Sequence, residues 1–228
     1  MPGQHAQCTN GQNDLVLILI DLDNTLIDRS AAFKAWAVDY VPERGGDPSD
    51  VDWLIKADRE GYESRPRLAE MIGARFGLSP EPVLTELRAG LIEHIVFDEA
   101  VGRALREATA AGCTPVVVTN GTVRQQERKL RHTGLDRLVA GWVISEGAGV
   151  RKPDRRIFEA AAAAVGASLA DGGWMIGDHA EYDIVGGAGA GLDTVWLHRG
   201  RSWPADLAAP THIADDFPAS MRLAAGPR

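Results

Sequence analysis

Leu15-Val16-Leu17-Ile18-Leu19-Ile20-Asp21-Leu22-Asp23-Asn24-Thr25 begins with six consecutive aliphatic residues and ends in two carboxylates and a hydroxyl. An unbroken apolar run of this length suits a strand buried on both faces, as in the middle of a parallel sheet. A second run, Thr114–Val118, is followed at once by Thr119, Asn120 and Gly121, and shorter ones lie at Trp142–Ile144, Trp174–Ile176 and Thr194–Leu197. Helical patterns separate them, at Asp98–Ala111, Val123–His132, Pro153–Val165 and Glu181–Gly189. Strands alternating with helices predict parallel βαβ units, hence an α/β fold with an open doubly wound sheet.

One interval breaks the alternation. Between Asp28 and Val96 no strand-like run occurs, but apolar residues recur at helical spacing: Phe33, Trp36, Ala37 and Tyr40, then Leu68, Met71, Ile72 and Phe76, then Val83, Leu84, Leu87 and Leu91. Ser79-Pro80 has the form of an N-cap followed by proline at the first helical position. The predicted organisation is therefore a polar, flexible tail over residues 1–13, a core formed by 14–28 and 97–228, and an all-helical insertion over 29–96.

The formal net charge of −8 offers no general attraction for nucleic acid or an anionic membrane. Leu15–Ile20 is too short to span a bilayer and lacks the flanks of a signal peptide, so a cytoplasmic protein is expected by default. Two cysteines, Cys8 and Cys113, are too few for a disulfide framework and show no zinc spacing. Oligomeric state is not legible.

In an open α/β sheet, ligands bind beyond the carboxyl ends of the strands. The groups expected there are Asp21 and Asp23 after the first strand, Thr119-Asn120-Gly121 after the second, and Asp178 after the fourth with Asp183 five residues on. Lys152 lies beyond the third. Each has an ordinary alternative: a strand-end aspartate can cap a helix, Thr119 and Asn120 can be turn residues, and Lys152 can be a solvated charge. Their conjunction on one sheet edge is harder to dismiss, because clustered carboxylates repel unless a cation compensates them. An all-oxygen site of this kind suits magnesium.

The segments DLDNTL at 21–26, TNG at 119–121, RKPD at 151–154 and GDHAEYD at 177–183 resemble, in order, the four motifs of the haloacid dehalogenase-like superfamily. The resemblance runs from Asn13 to about Asp216. It implies a Rossmann-like core, and it likens the insertion to the helical cap that closes the crevice in many members. It also implies a phosphatase acting on a small phosphate ester such as a sugar phosphate, a nucleoside monophosphate or phosphoglycolate. In that scheme Asp21 is the nucleophile that forms an aspartyl-phosphate and Asp23 the general acid, then base. Thr119 and the backbone N–H groups of Asn120 and Gly121 hold the phosphoryl oxygens, and Lys152 neutralises charge. Magnesium is bound by Asp21, Asp178 and the Asp23 carbonyl, with Asp183 holding a metal-bound water or orienting Lys152.

Dehalogenation needs no second carboxylate, since a halide leaves without a proton, and phosphonate-cleaving members carry a small residue in place of Asp23. A phosphomutase would keep both carboxylates and is the enzymatic alternative, although the Thr-Asn-Gly second motif is the commoner hydrolase form. A non-catalytic binding protein on the same fold predicts loss of Asp21, Asp23, Lys152 or Asp178, and all four are present. In the insertion, Lys56, Arg59, Tyr62, Arg65 and Arg67 are the candidate substrate readers, each with the alternative of a solvated surface residue.

Overall fold

The computed structural model describes residues 9–10 and 14–226 of the 228. The expected flexible tail lies outside the described residues except for Thr9 and Asn10. These two form a short strand, β1, antiparallel to Leu15 and Asp14. The chain divides into two compact units, one running to Leu26 and resuming at Phe97, the other Ile27–Val96.

The first unit is built on β2 (Asp14–Ile20), β3 (Cys113–Thr119), β4 (Gly141–Ile144), β5 (Trp174–Gly177), β6 (Asp193–Leu197) and β7 (His212–Ala214). These six pair in parallel in the order β4-β3-β2-β5-β6-β7. The aliphatic run forms the central strand: Leu17 to Ile20 are almost wholly buried between Val116–Val118 on one side and Trp174–Ile176 on the other. Alternate residues face opposite sides of the sheet. Leu17, Leu19, Val116, Val118 and Met175 form one cluster with Ile157, Phe158, Ala161 and Ala162 of α7 (Arg155–Ala163). Two alanines let that helix lie close. Ile18, Ile20 and Val117, which point the other way, are equally buried, and α5 (Glu99–Ala110) packs on β3.

Strand β7 was not apparent in the sequence. It has three residues, two of them exposed, so neither an apolar run nor an alternation can form. The segment expected as one helix over Glu181–Gly189 is a π-helix, Ala180–Val185, continued by a short α-helix at Gly186–Gly189. The amide of Ile184 donates to the carbonyl of His179, five residues back.

The second unit contains α1 (Arg29–Tyr40), α2 (Pro48–Asp58), α3 (Arg65–Phe76) and α4 (Pro80–Glu93), and no strand. Phe33, Trp36, Leu54, Leu68, Ile72, Val83, Leu87 and Leu91 are among its buried apolar residues. Trp36 lies so close to α4 that a Cβ at Gly90 would fall 2.2 Å from its ring. Ser79 stands at the N-cap position of α4, as its Ser-Pro pattern predicts, but its side chain makes no capping hydrogen bond. The unit also buries a charge cluster. Asp58, 2% exposed, accepts from Arg29 and from the Arg65 Nη1 atom at 2.7 Å. Arg65 thus has a structural partner within its own unit. Arg67 pairs with the exposed Glu70, and Lys56, Arg59 and Tyr62 are exposed.

Candidate active site

The order of strands reverses at β2: the chain passes from β2 to β3 on one side, and β5 lies on the other. The crevice at such a switch point is where open α/β sheets bind ligands, and Asp21 is the first residue beyond β2. Its amide donates to the Ile176 carbonyl at 2.9 Å, so the backbone remains tied to β5 where the side chain leaves the sheet. The chain then turns tightly. The Leu26 amide reaches back to the Leu22 carbonyl, and Asn24 adopts φ 61°, a left-handed conformation that asparagine tolerates better than most residues. Asp21 and Asp23 take different partners, Lys152 for the first and Lys129 for the second.

Lys152 is 2% exposed, and its ammonium has three acceptors: Asp21 Oδ1 at 2.6 Å, Asp183 Oδ1 at 2.6 Å and the Val118 carbonyl at 2.9 Å. Its backbone is clamped by the Asn120 side chain, whose Oδ1 accepts from the Lys152 amide at 2.9 Å and whose Nδ2 donates to the Lys152 carbonyl at 3.1 Å. The second motif therefore aims the lysine of the third. The Gly121 amide donates to Ser145 Oγ at 3.0 Å.

Asp183 arrives through the π-helix. Its Oδ2 accepts the His179 amide at 2.9 Å, and its carboxyl group occupies space that exists only because residue 177 is glycine: a Cβ there would lie 2.3 Å from Asp183 Oδ2. Gly177→Ala is expected to destabilise the protein by about 1–3 kcal/mol, the usual cost of overpacking. Chemical denaturation would measure it, and a null effect would mean that the strand end can yield.

Carboxylate oxygens of Asp21, Asp178 and Asp183, all buried, lie within 4.8 Å of one another. Burial and the charges of Asp183 and Asp178 push Asp21 well above the ordinary carboxylate range, although Lys152 opposes the shift. Burial and the charge of Asp183 likewise raise Asp178 to about 6, against the pull of Arg201. Burial alone would favour neutral Lys152, but Asp183 and Asp21 outweigh it and drive its pKa up. Lys152 between Asp21 and Asp183, and Arg201 on Asp178, supply two positive charges to three carboxyl groups, so the site remains short of positive charge. An all-oxygen, hard-ligand, anionic set is what magnesium requires, and the residues fit it.

Thr119 Oγ1 is buried and accepts from Gln126 Nε2 at 2.6 Å. The same amide reaches Asp23 Oδ2 at 3.0 Å, and Lys129 Nζ lies 2.7 Å from both Asp23 oxygens. Arg201 donates to Asp178 Oδ2 at 2.9 Å and to its carbonyl at 2.7 Å. Gln126, Lys129, Ser145 and Arg201 were not anticipated. Ser145 and Arg201 had no local signal. For Gln126 and Lys129 one existed: with Leu130 and Thr133 they form the buried face of α6 (Val123–Thr133), so two polar side chains occupy positions where core residues belong.

The profile of the haloacid dehalogenase-like hydrolases matches residues 15–191. The chain belongs to this family. Glyceraldehyde 3-phosphate phosphatase of Pyrococcus abyssi is 32% identical to this haloacid dehalogenase-like chain over 201 residues, 81% of it and 82% of the relative. Pyrimidine 5'-nucleotidase YjjG of Escherichia coli is 40% identical over 95 residues, a match spanning 42% of each chain. Among solved structures, the magnesium-bound HAD-hydrolase YfnB of Bacillus subtilis has a TM-score of 0.71 at 22% identity, covering 92% of this chain and 98% of that one. At that identity the likeness establishes the fold alone, and haloacid dehalogenases share it.

Proposed function

We propose that the protein is a phosphatase that hydrolyses a small phosphorylated metabolite through an aspartyl-phosphate on Asp21. The observation that carries this is the second carboxylate: Asp23 is held beside Thr119 by a shared hydrogen-bond donor, Gln126. A dehalogenation would give such a group nothing to do. Relatives named as a glyceraldehyde 3-phosphate phosphatase and a pyrimidine 5'-nucleotidase support phosphate-ester chemistry.

Asp21 attacks phosphorus, and the ester P–O bond breaks as the departing oxygen takes a proton from Asp23. Asp23, now a base, deprotonates a water molecule that attacks the phosphoryl group, releasing phosphate and restoring the Asp21 carboxylate. Lys152 holds Asp21 by one oxygen, which aims the nucleophile and offsets charge during transfer. Thr119 offers a hydroxyl to the phosphoryl oxygens. Magnesium, held by Asp21, Asp178 and the Asp23 carbonyl with Asp183 close by, would supply charge neutralisation for the transferring group.

The alkoxide of a metabolite phosphate is a poor leaving group, and a general acid typically contributes about 10²–10⁴-fold. Asp23→Asn is therefore expected to slow bond cleavage in such an ester by that factor, and much less in nitrophenyl phosphate, whose leaving group departs without a proton. The measurement is the burst phase and steady-state rate with both esters. Equal losses in the bond-breaking step for the two esters would make Asp23 a structural or metal-site residue and remove the acid–base step.

A further inference from the structure

Lys129 has no part in the steps above, yet it is nearly buried, with its side chain 5% exposed, against a carboxylate that is 26% exposed. Taking an ammonium out of water is costly, and an aliphatic side chain on the same helix face would avoid the cost. The neighbouring face positions show the alternative: Leu130 is fully buried, and Thr133 satisfies its hydroxyl on its own helix, at the Lys129 carbonyl, 2.8 Å away. Lys129 instead reaches across from α6 to grip Asp23 by both oxygens, at 2.7 Å each. One turn earlier on α6, Gln126 binds the same carboxylate at Oδ2 and also binds Thr119 Oγ1. Two side chains of one helix thus set the orientation of the group two residues beyond Asp21.

We propose that Lys129 is a positioning residue for the acid–base step, acting through Asp23. The inference rests on the assignment of Asp23 as acid and base. An aspartate on a turn is free to rotate about two side-chain bonds. Held by a two-oxygen contact to a buried lysine and a third contact to Gln126, it presents a defined edge to the reacting oxygen. Gln126 links that edge to Thr119, so the proton-handling carboxylate and the phosphate-facing hydroxyl share one support. Lys129 contributes by holding that carboxylate in place, and misplacement of a reacting group by about 1 Å costs on the order of 10²-fold.

The test compares Lys129→Met, Lys129→Arg, Asp23→Asn and the double variant Lys129→Met/Asp23→Asn in the full chain, each with an alkyl phosphate and with nitrophenyl phosphate. Methionine keeps the length of the stem and removes the ammonium, while arginine keeps a donor able to meet both oxygens. For Lys129→Met, the single-turnover rate of ester bond cleavage is expected to fall about 10–100-fold with the alkyl ester, with KM little changed, and to fall much less with the nitrophenyl ester. Lys129→Arg should restore most of the loss. In the Asp23→Asn background the methionine substitution should add nothing, since a residue that acts through Asp23 has nothing left to position. A Lys129→Met loss in the bond-breaking step that is equal for the two esters, or that persists undiminished on top of Asp23→Asn, would overturn the inference and make Lys129 a structural ion-pair partner. So would wild-type rates in Lys129→Met. If Asp23→Asn itself shows no dependence on the leaving group, the acid–base assignment fails first, and the single-variant data distinguish that failure from this one.

Discussion

Asp21→Asn is expected to abolish turnover and leave the fold intact. The substitution exchanges one carboxylate oxygen for an amide nitrogen of nearly the same size at a position that is 7% exposed. What it removes is the proposed nucleophile. An amide does not form the acyl phosphate, and removal of a covalent nucleophile costs on the order of 10⁴–10⁶-fold in kcat. The substitution also takes one negative charge out of a group in which burial and neighbouring carboxylates already disfavour ionisation, so the variant should unfold no more readily than the parent. Phosphate release and a thermal unfolding curve check the two halves of the expectation. Turnover near the wild-type rate would exclude the covalent route.

Removal of divalent metal is the second large effect. Asp21, Asp178 and Asp183 present three buried carboxyl groups to one another, and Lys152 supplies the single ammonium between Asp21 and Asp183. Exhaustive chelation should eliminate activity, and magnesium should restore it. Calcium should inhibit, because its larger, less regular coordination shell permits both oxygens of Asp21 to be bound and leaves the nucleophile misaligned. Binding is observable without turnover. A ligand that binds only the folded state stabilises it by about 2.7 kcal/mol at a hundred times its dissociation constant, so magnesium should raise the unfolding midpoint of the chelated protein. Asp178→Asn should abolish that rise. Full activity after chelation, or a midpoint indifferent to magnesium, would contradict the metal site.

The grouping of Asp21, Thr119 and Asp178 at one sheet edge was legible because it follows from strand direction alone. Parallel strands end on the same edge, so any residue that terminates an apolar run is brought to that edge whatever the helices do. Lys152 was legible only as part of a motif, since its side chain reaches the site from a loop and depends on the clamp by Asn120, 32 residues away. Arg65 illustrates the opposite case. It was a candidate substrate reader by residue type, but the structure gives its Nη1 atom a buried acceptor in Asp58, and nothing in the local sequence pairs those two.

The alternation of strand and helix, the helical character of the insertion, the identity of the central strand and the residues at its end all follow from the order of amino acids. These are consequences of local pattern: an aliphatic run too long to be a turn and too short to be a membrane span, or an apolar period of 3.6 residues. Which polar side chains meet depends instead on the packed fold. Lys129 and Gln126 lie in a segment, Arg-Gln-Gln-Glu-Arg-Lys-Leu-Arg-His, whose composition is that of a solvated helix face. They reach Asp23, more than 100 residues distant, because Leu130 and Thr133 turn that face inward. The same holds for the π-helix that delivers Asp183 into the space left by Gly177. A single side chain's partner is set by the rotation and docking of a whole helix, and those depend on the packing of every other residue along it.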